Sequence, residues 1–276
     1  MSQQTSIEVE SGILCRAMTT DGAVRIVGVR AEEAASELIS AHGLSGDAAA
    51  IASEGLVATV LMSAHIKGKE RMTIQVQASD PPLSFFAEIA SDGAVRGRLK
   101  PAIVDSPEGR LTGVLLAIKS NEEHELYRGA TSVEAQTVTE ALRAHLADSV
   151  QIDGLLWTDN GAGMLLERLP EADGSHALTV EAFLERYSPL QNRSAAEVVD
   201  VLLTGKLGAD DVALLGLRSV YWQCRCSEQR VLGMLRTLEA ETIEEMIEED
   251  GGAEVICHFC NKPYAIGVES LRDMLG

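Results

Sequence analysis

Tyr221-Trp222-Gln223-Cys224-Arg225-Cys226-Ser227-Glu228 is followed, after thirty residues counted from Cys226, by Cys257-His258-Phe259-Cys260. In an extended chain residues i and i+2 point the same way, so Cys224 and Cys226 can face one ion together. Cys257 and Cys260 have the spacing of a tight turn that aims two sulfurs at a common point. Zinc favours four thiolates in a tetrahedron with Zn–S near ~2.3 Å, and two short chelating pairs supply such a set. The spacing therefore marks Cys224, Cys226, Cys257 and Cys260 as candidate ligands of one zinc. The remaining cysteine, Cys15, stands alone among alternating residues and reads as a small core side chain. In a reducing compartment this clustering points to metal binding or redox chemistry before permanent disulfides.

The segment around these cysteines, 221–276, is short. A unit of that size has a small core and relies on a metal, a crosslink or a neighbour. Between the two pairs, residues 227–256 hold nine acidic side chains against two basic ones. Four of the carboxylates crowd the end of an expected helix at 241–249, where the helix dipole is itself negative. In such modules metal affinity and folding are one equilibrium, with apparent zinc contributions of ~10–16 kcal/mol in finger peptides. Oxidation of the thiolates removes that contribution, so chemistry at sulfur can become loss of structure.

The whole chain of 276 residues carries a formal charge of −19, with 46% hydrophobic and 4% aromatic residues. That charge opposes a phosphate backbone and an anionic membrane surface alike, which disfavours both as partners. No uninterrupted apolar run approaches the ~18 residues of a spanning segment. The N-terminus, Met-Ser-Gln-Gln-Thr-Ser-Ile-Glu-Val-Glu, lacks the basic flank and apolar stretch of an export signal, and the expected address is the cytoplasm.

Upstream of the cysteines the pattern is α+β. Asp21-Gly22 is a hairpin signal ahead of a strand at 23–29. Helices are expected at 31–41 and 47–66, the latter broadly apolar. Strands follow at 71–78, 83–90, 111–119 and 123–127, with turns at Pro81-Pro82, Ser91-Asp92-Gly93 and Pro107-Glu108-Gly109. A helix is expected over 131–147 and strand character over 151–169, closed by Pro170. Beyond a polar run at 171–176, Val180, Phe183, Leu184 and Tyr187 form one amphipathic helical stripe. Ser194 with Glu197 has the capping-box spacing ahead of a second helix. The expected organisation is a mixed core domain over 1–170, a helical linker over 171–220 and a zinc-binding domain over 221–276.

Other motifs carry less. His124-Glu125-Leu126-Tyr127-Arg128 starts like a metalloprotease motif but ends in Arg128 rather than a second His. Gly161-Ala162-Gly163-Met164-Leu165-Leu166 lacks the last glycine of a dinucleotide fingerprint and reads as strand. No phosphate loop of the Gly-Lys-Ser/Thr type is present. His258, inside the turn between two ligand cysteines, reads as exposed.

The cysteine pattern with Tyr264, and the box Gly163-Met164-Leu165-Leu166, resemble the thirty-three-kilodalton heat-shock chaperone family. Ala94-Val95-Arg96-Gly97, after an acidic turn, is similar as well. The resemblance implies a redox-regulated, ATP-independent holdase rather than an enzyme. It implies one zinc held by the four reduced cysteines in a poorly active monomer. Oxidation, by hypochlorous acid or by peroxide with mild unfolding, then links Cys224 to Cys226 and Cys257 to Cys260 with loss of the metal. The zinc domain and linker lose order, apolar surface meets unfolding client proteins, and the active form is a homodimer. Arg225, between the first pair, stands where charge proximity lowers a thiol pKa. Two alternatives remain on the residues alone: a constitutive zinc-stabilised binding module, and a thiol–disulfide oxidoreductase using Cys257 and Cys260. The latter lacks the strand-to-helix context of a thioredoxin.

Overall fold

A hairpin opens the fold: β1 (Gly12–Thr19) turns at Asp21-Gly22 into β2 (Val24–Arg30). Gly22 adopts φ +76° and donates to the Thr19 carbonyl, and the Asp21 carboxylate accepts the Ala23 amide, which is the local chemistry the Asp-Gly pair encodes. The computed structural model describes residues 12–102, 111–171 and 178–275. The N-terminal ten residues, the turn expected at Pro107-Glu108-Gly109 and residues 172–176 of the polar run lie outside the described residues.

The chain divides into two compact units, Met1–Gln223 and Cys224–Gly276. In the first, α1 (Glu32–His42) and α2 (Gly46–Leu61) follow the hairpin, and α2 tightens into a 3-10 turn at Met62–His65. The antiparallel strands β3 (Arg71–Asp80), β4 (Pro82–Ala90), β5 (Ala94–Lys100), β6 (Leu111–Ser120) and β7 (Glu125–Ala135) come next. Then come α3 (Val138–His145), a π turn at Leu146–Val150, β8 (Gly154–Asp159) and β9 (Ala162–Arg168). The unit ends with α4 (Val180–Tyr187), α5 (Ala195–Leu202), β10 (Lys206–Leu207) and β11 (Asp210–Trp222). The strands form one path, β7-β6-β3-β4-β5-β11-β1-β2-β9-β8, with β10 hairpinned onto β11. Its middle is a short parallel match, Tyr221 with Ala94 and Trp222 with Val95.

Strands β1, β2, β8 and β9 are buried on both faces, which explains the unbroken apolar run in 162–166. Leu14, Val27, Val29, Leu156 and Leu165 face the cluster built with α1, α2 and α3. Cys15, Ala17, Val24, Ile26, Leu155, Met164 and Leu166 face a second cluster that Phe183, Tyr187, Val198, Val199 and Leu202 of α4 and α5 complete. Cys15 is fully buried there, as expected of a core residue, and burial pushes its thiol up to about 11. The stretch Gly46–His65 is long and apolar enough to span a membrane by length and composition, yet it is largely buried as the central helix of this core.

Several local expectations change. Residues 131–135 are strand rather than helix, because β7 pairs with β6 from Glu125 opposite Ser120 to Ala135 opposite Leu111, and ladder bonds outweigh helical propensity. The helix starts only after Thr137, whose hydroxyl accepts the Glu140 amide while the Glu140 carboxylate accepts the Gln136 amide. Ser194, expected to cap α5, makes no capping hydrogen bond. On α4, Phe183 and Tyr187 are buried but Leu184 is exposed, so the stripe is narrower than its spacing suggests. Residues 171–220, expected as helical, hold α4 and α5 but close in β11, a strand paired with β1 from Thr19 opposite Val212 to Gly12 opposite Val220. Segment 94–100, not expected as a strand, is β5.

The second unit is built of α6 (Glu228–Leu235), α7 (Ala240–Glu248), the antiparallel pair β12 (Gly252–Ile256) and β13 (Pro263–Gly267), and α8 (Val268–Leu275). Its buried apolar residues, among those described, are Val231, Leu235, Ile243, Tyr264, Ile266 and Leu271.

Two features of the first unit yield measurable expectations. Glu167 has no exposed side-chain surface. Its carboxylate accepts from Arg25 Nε, and His65 Nε2 lies 2.9 Å from it, off a hydrogen-bonding line but charge-paired when protonated. Burial pushes the Glu167 carboxyl up, but His65 and Arg25 outweigh it and hold it below the usual range. Its contribution is present above the unfolded value of ~4.3 and is lost as pH falls through the lower folded value. Glu167→Gln is expected to lower unfolding free energy by about 2–4 kcal/mol at neutral pH. In urea melts its gap from the parent should close below that folded value. At the β4–β5 turn, Gly93 has φ +96° and an added Cβ would sit 1.9 Å from the Ser219 carbonyl oxygen of β11. Gly93→Ala is expected to cost about 2 kcal/mol or more in the same assay.

Candidate metal centre

Four sulfurs converge where two chain segments of the second unit meet. Cys224 and Cys226 lie in non-regular backbone ahead of α6. Ser227 caps that helix by accepting the Arg230 amide, which fixes where the first pair ends. Cys257 leaves β12, and the chain reverses through Cys260 into β13. Within this turn the Asn261 amide donates to the Cys257 carbonyl at 2.8 Å and the Cys257 amide donates to the Lys262 carbonyl at 3.0 Å. Asn261 adopts φ +53°, a left-handed conformation that Asn tolerates better than most residues.

This backbone brings Cys224 Sγ to 3.5 Å from Cys257 Sγ and Cys226 Sγ to 3.4 Å from Cys260 Sγ. All four sulfurs lie within 4.8 Å of one another. A tetrahedron with metal–sulfur bonds of ~2.3 Å has edges of about 3.8 Å, so the sulfur set has the dimensions such an ion needs. The donor set is all sulfur, and soft thiolates suit zinc. The sequence-expected residues are thus brought together, while His258 is exposed and outside the group.

The four thiols are not equivalent. Burial, with hydrogen sharing among the other sulfurs, pushes Cys224 up. Cys260 is raised, again mainly by burial. Burial also opposes ionisation of Cys226, but hydrogen bonds from Tyr264 and the other three cysteines prevail and bring it down to about 7. The Tyr264 hydroxyl donates to Cys226 Sγ at 3.0 Å, and its own ionisation is pushed up, chiefly by that bond. The hydrogen bonds that lower Cys226 come from Tyr264 and its sister thiols. A metal held by the four sulfurs would take them as thiolates, the form that the hydrogen bonds around Cys226 already favour. All four side chains are part-exposed, so small oxidants can reach them.

Tyr264 was legible only as part of a resemblance. The signal for its role is an aromatic hydroxyl on β13 just past the chelating turn, and its partner is set by the β12–β13 register, Val255 opposite Tyr264. His124 and Glu125, by contrast, form no site. Glu125 pairs with Arg128 at 2.6 Å on strand β7, far from the helical context a metalloprotease needs.

Comparison with known proteins agrees with this arrangement. The family model described as "Hsp33 protein" matches residues 13–267. A 33 kDa chaperonin of Gloeobacter violaceus is 30% identical, with 95% of this chain and 94% of that protein covered. One from Shouchella clausii is 26% identical, covering 94% and 96%. The crystal structure of a 33 kDa chaperonin from Thermotoga maritima superposes with a TM-score of 0.79 at 20% identity, over 96% of this chain and 98% of that one. A family match across nearly the whole chain, together with the four-cysteine cluster, establishes that this chain belongs to the Hsp33 family.

Proposed function

We propose that the protein is a redox-regulated, ATP-independent holdase of the cytoplasm, with client proteins that are unfolding as its partners and no catalytic turnover of its own. The observation that carries this reading is the four-sulfur cluster in a unit whose own apolar core is small. In the reduced monomer Cys224, Cys226, Cys257 and Cys260 hold one zinc. Zinc bound there would supply folding free energy, ~10–16 kcal/mol in comparable small modules.

Oxidation removes the ligands. In each pair two thiolates give up two electrons and join in one S–S bond. A peroxide oxidant takes those electrons and two protons and leaves as two waters; hypochlorous acid leaves as chloride and water. The proposed links are Cys224 to Cys226 and Cys257 to Cys260. A disulfide sulfur is a poor metal ligand, so the support is lost and the acidic unit unfolds. Residues 171–220 act as the linker that loses order with it. Detachment of α4 and α5 would uncover Phe183, Tyr187, Val198, Val199 and Leu202 together with the sheet face they now cover. That surface is the apolar patch a holdase needs, and the oxidised form pairs as a homodimer.

The decisive experiment follows zinc release, free thiols and suppression of client aggregation along one oxidant titration. All three are expected to change together, with protection appearing only as zinc leaves. Zinc retained with unchanged protection would favour a constitutive zinc-stabilised module instead, and turnover of a disulfide substrate by substoichiometric protein would favour an oxidoreductase.

Three variants and one mapping experiment refine this. Cys257→Ser is expected to weaken zinc binding in competition with a chromogenic chelator; unchanged affinity would remove that residue from the ligand set. Tyr264→Phe deletes the donor to Cys226 and is expected to weaken zinc roughly tenfold or more in the same assay. Cys15→Ser is expected to leave zinc stoichiometry unchanged. Peptide mapping of the oxidised protein is expected to recover the two within-pair disulfides. A dominant Cys224–Cys257 link would overturn the proposed pairing.

A further inference from the structure

The sheet face that carries the larger core of the first unit also carries a diagonal row of cations. Arg218 of β11 stands opposite Leu14 of β1, and Arg25 of β2 stands opposite Met18 of β1. Arg16 lies between Leu14 and Met18 on the same strand face, so Arg218, Arg16 and Arg25 run as diagonal neighbours across three strands. The row ends at Glu167 of β9, directly opposite Arg25. All three arginines are half-buried.

Some of their hydrogens are used locally. Arg16 Nη2 donates to the Ser63 carbonyl within the 3-10 turn, Arg218 Nη1 donates to the Ser91 carbonyl, and Arg25 pairs with Glu167. The supply of donors exceeds that of acceptors. Arg16 Nε, Ser63 Oγ and His65 Nε2 make no hydrogen bond. Arg25 alone of the three is paired with the row's carboxylate, Glu167, so the three guanidiniums and that one carboxylate sum to a local charge of about +2 in a chain of −19. Burial depresses the Arg16 guanidinium, and repulsion from Arg218 and Arg25 adds to it. Carbonyl capping accounts for one nitrogen on Arg16 and one on Arg218, while the buried Arg16 Nε has no partner and the repulsion within the row is not offset by these neutral acceptors.

We propose that Arg16, Arg25 and Arg218, with Ser63 and His65 beside them, form a binding site for a tetrahedral oxyanion of the phosphate class. Such an ion offers several acceptor oxygens to planar forks that match it bidentately, and its negative charge offsets the mutual repulsion of the row. Chloride has the charge but neither the oxygens nor the geometry. Arg218 lies within the span 171–220 that the proposed switch disorders, so the site belongs to the reduced form.

The test uses the reduced, zinc-loaded full chain labelled with nitrogen-15 and titrated with inorganic phosphate, against sodium chloride at the same ionic strength. Saturable shifts are expected at the amides of Ser63, His65, Ser91 and Arg218 with phosphate only. Arg218→Gln and Arg16→Gln, each checked for folding by circular dichroism, are expected to weaken the midpoint roughly tenfold. If Arg16→Gln does not fold, Arg218→Gln decides. Shifts that fail to saturate, that chloride reproduces, or that keep the parent midpoint in a folded variant would overturn the proposal and leave the row as carbonyl caps.

Discussion

Within the C-terminal unit, four sulfurs lie within 4.8 Å of one another beside a small apolar core, and a metal held there would do what a larger core does elsewhere. The buried residues Val231, Leu235, Ile243, Tyr264, Ile266 and Leu271 form its only described core cluster, and Cys226 and Cys257 pack against them. The helix α7 ends in a run of carboxylates that its own dipole disfavours, and a single β12–β13 pair is marginal by itself. The cross-strand register therefore matters twice: it makes the turn that presents Cys257 and Cys260, and it places the Tyr264 hydroxyl on Cys226.

The first unit rests on a different constraint. A sheet buried on both faces needs cover on both, and α4 and α5 supply the second cover. They are short helices, each of eight residues, which in isolation fall below the length at which helices persist in water. Their order is borrowed from Phe183, Tyr187, Val199 and Leu202 against Met164, Leu166 and Ile26. Such helices are well suited to conditional attachment, because side-chain packing rather than ladder hydrogen bonds holds them to the sheet. The polar side of this unit is built the same way: Glu167, fully buried, collects Arg25 from the neighbouring strand and His65 from the end of the helical layer.

Much was legible in the sequence because it depends on short-range chemistry. The Asp21-Gly22 hairpin, the broadly apolar helix expected at 47–66, the strand character over 151–169 and the two cysteine pairs are each determined by residues near one another in the chain. The family resemblance followed from the same local motifs, the cysteine spacing above all. Cys15 as a core residue and His258 as an exposed one also followed from local pattern.

What only the tertiary structure decided were features that residues distant in sequence create together. Residues 131–135 read as the start of a helix, yet they are strand because β6 offers a ladder along their whole length. Segment 210–222 follows helices and became a strand because β1 presented an open edge. Leu184 lies on the expected stripe but is exposed, while Phe183 and Tyr187 of the same helix are buried. The convergence of Cys224 with Cys257, the ordering of the thiols by Tyr264, and the diagonal of Arg218, Arg16 and Arg25 all arise from strand register and chain reversal. Spacing along a chain states which side chains are able to meet; register and packing decide which ones do.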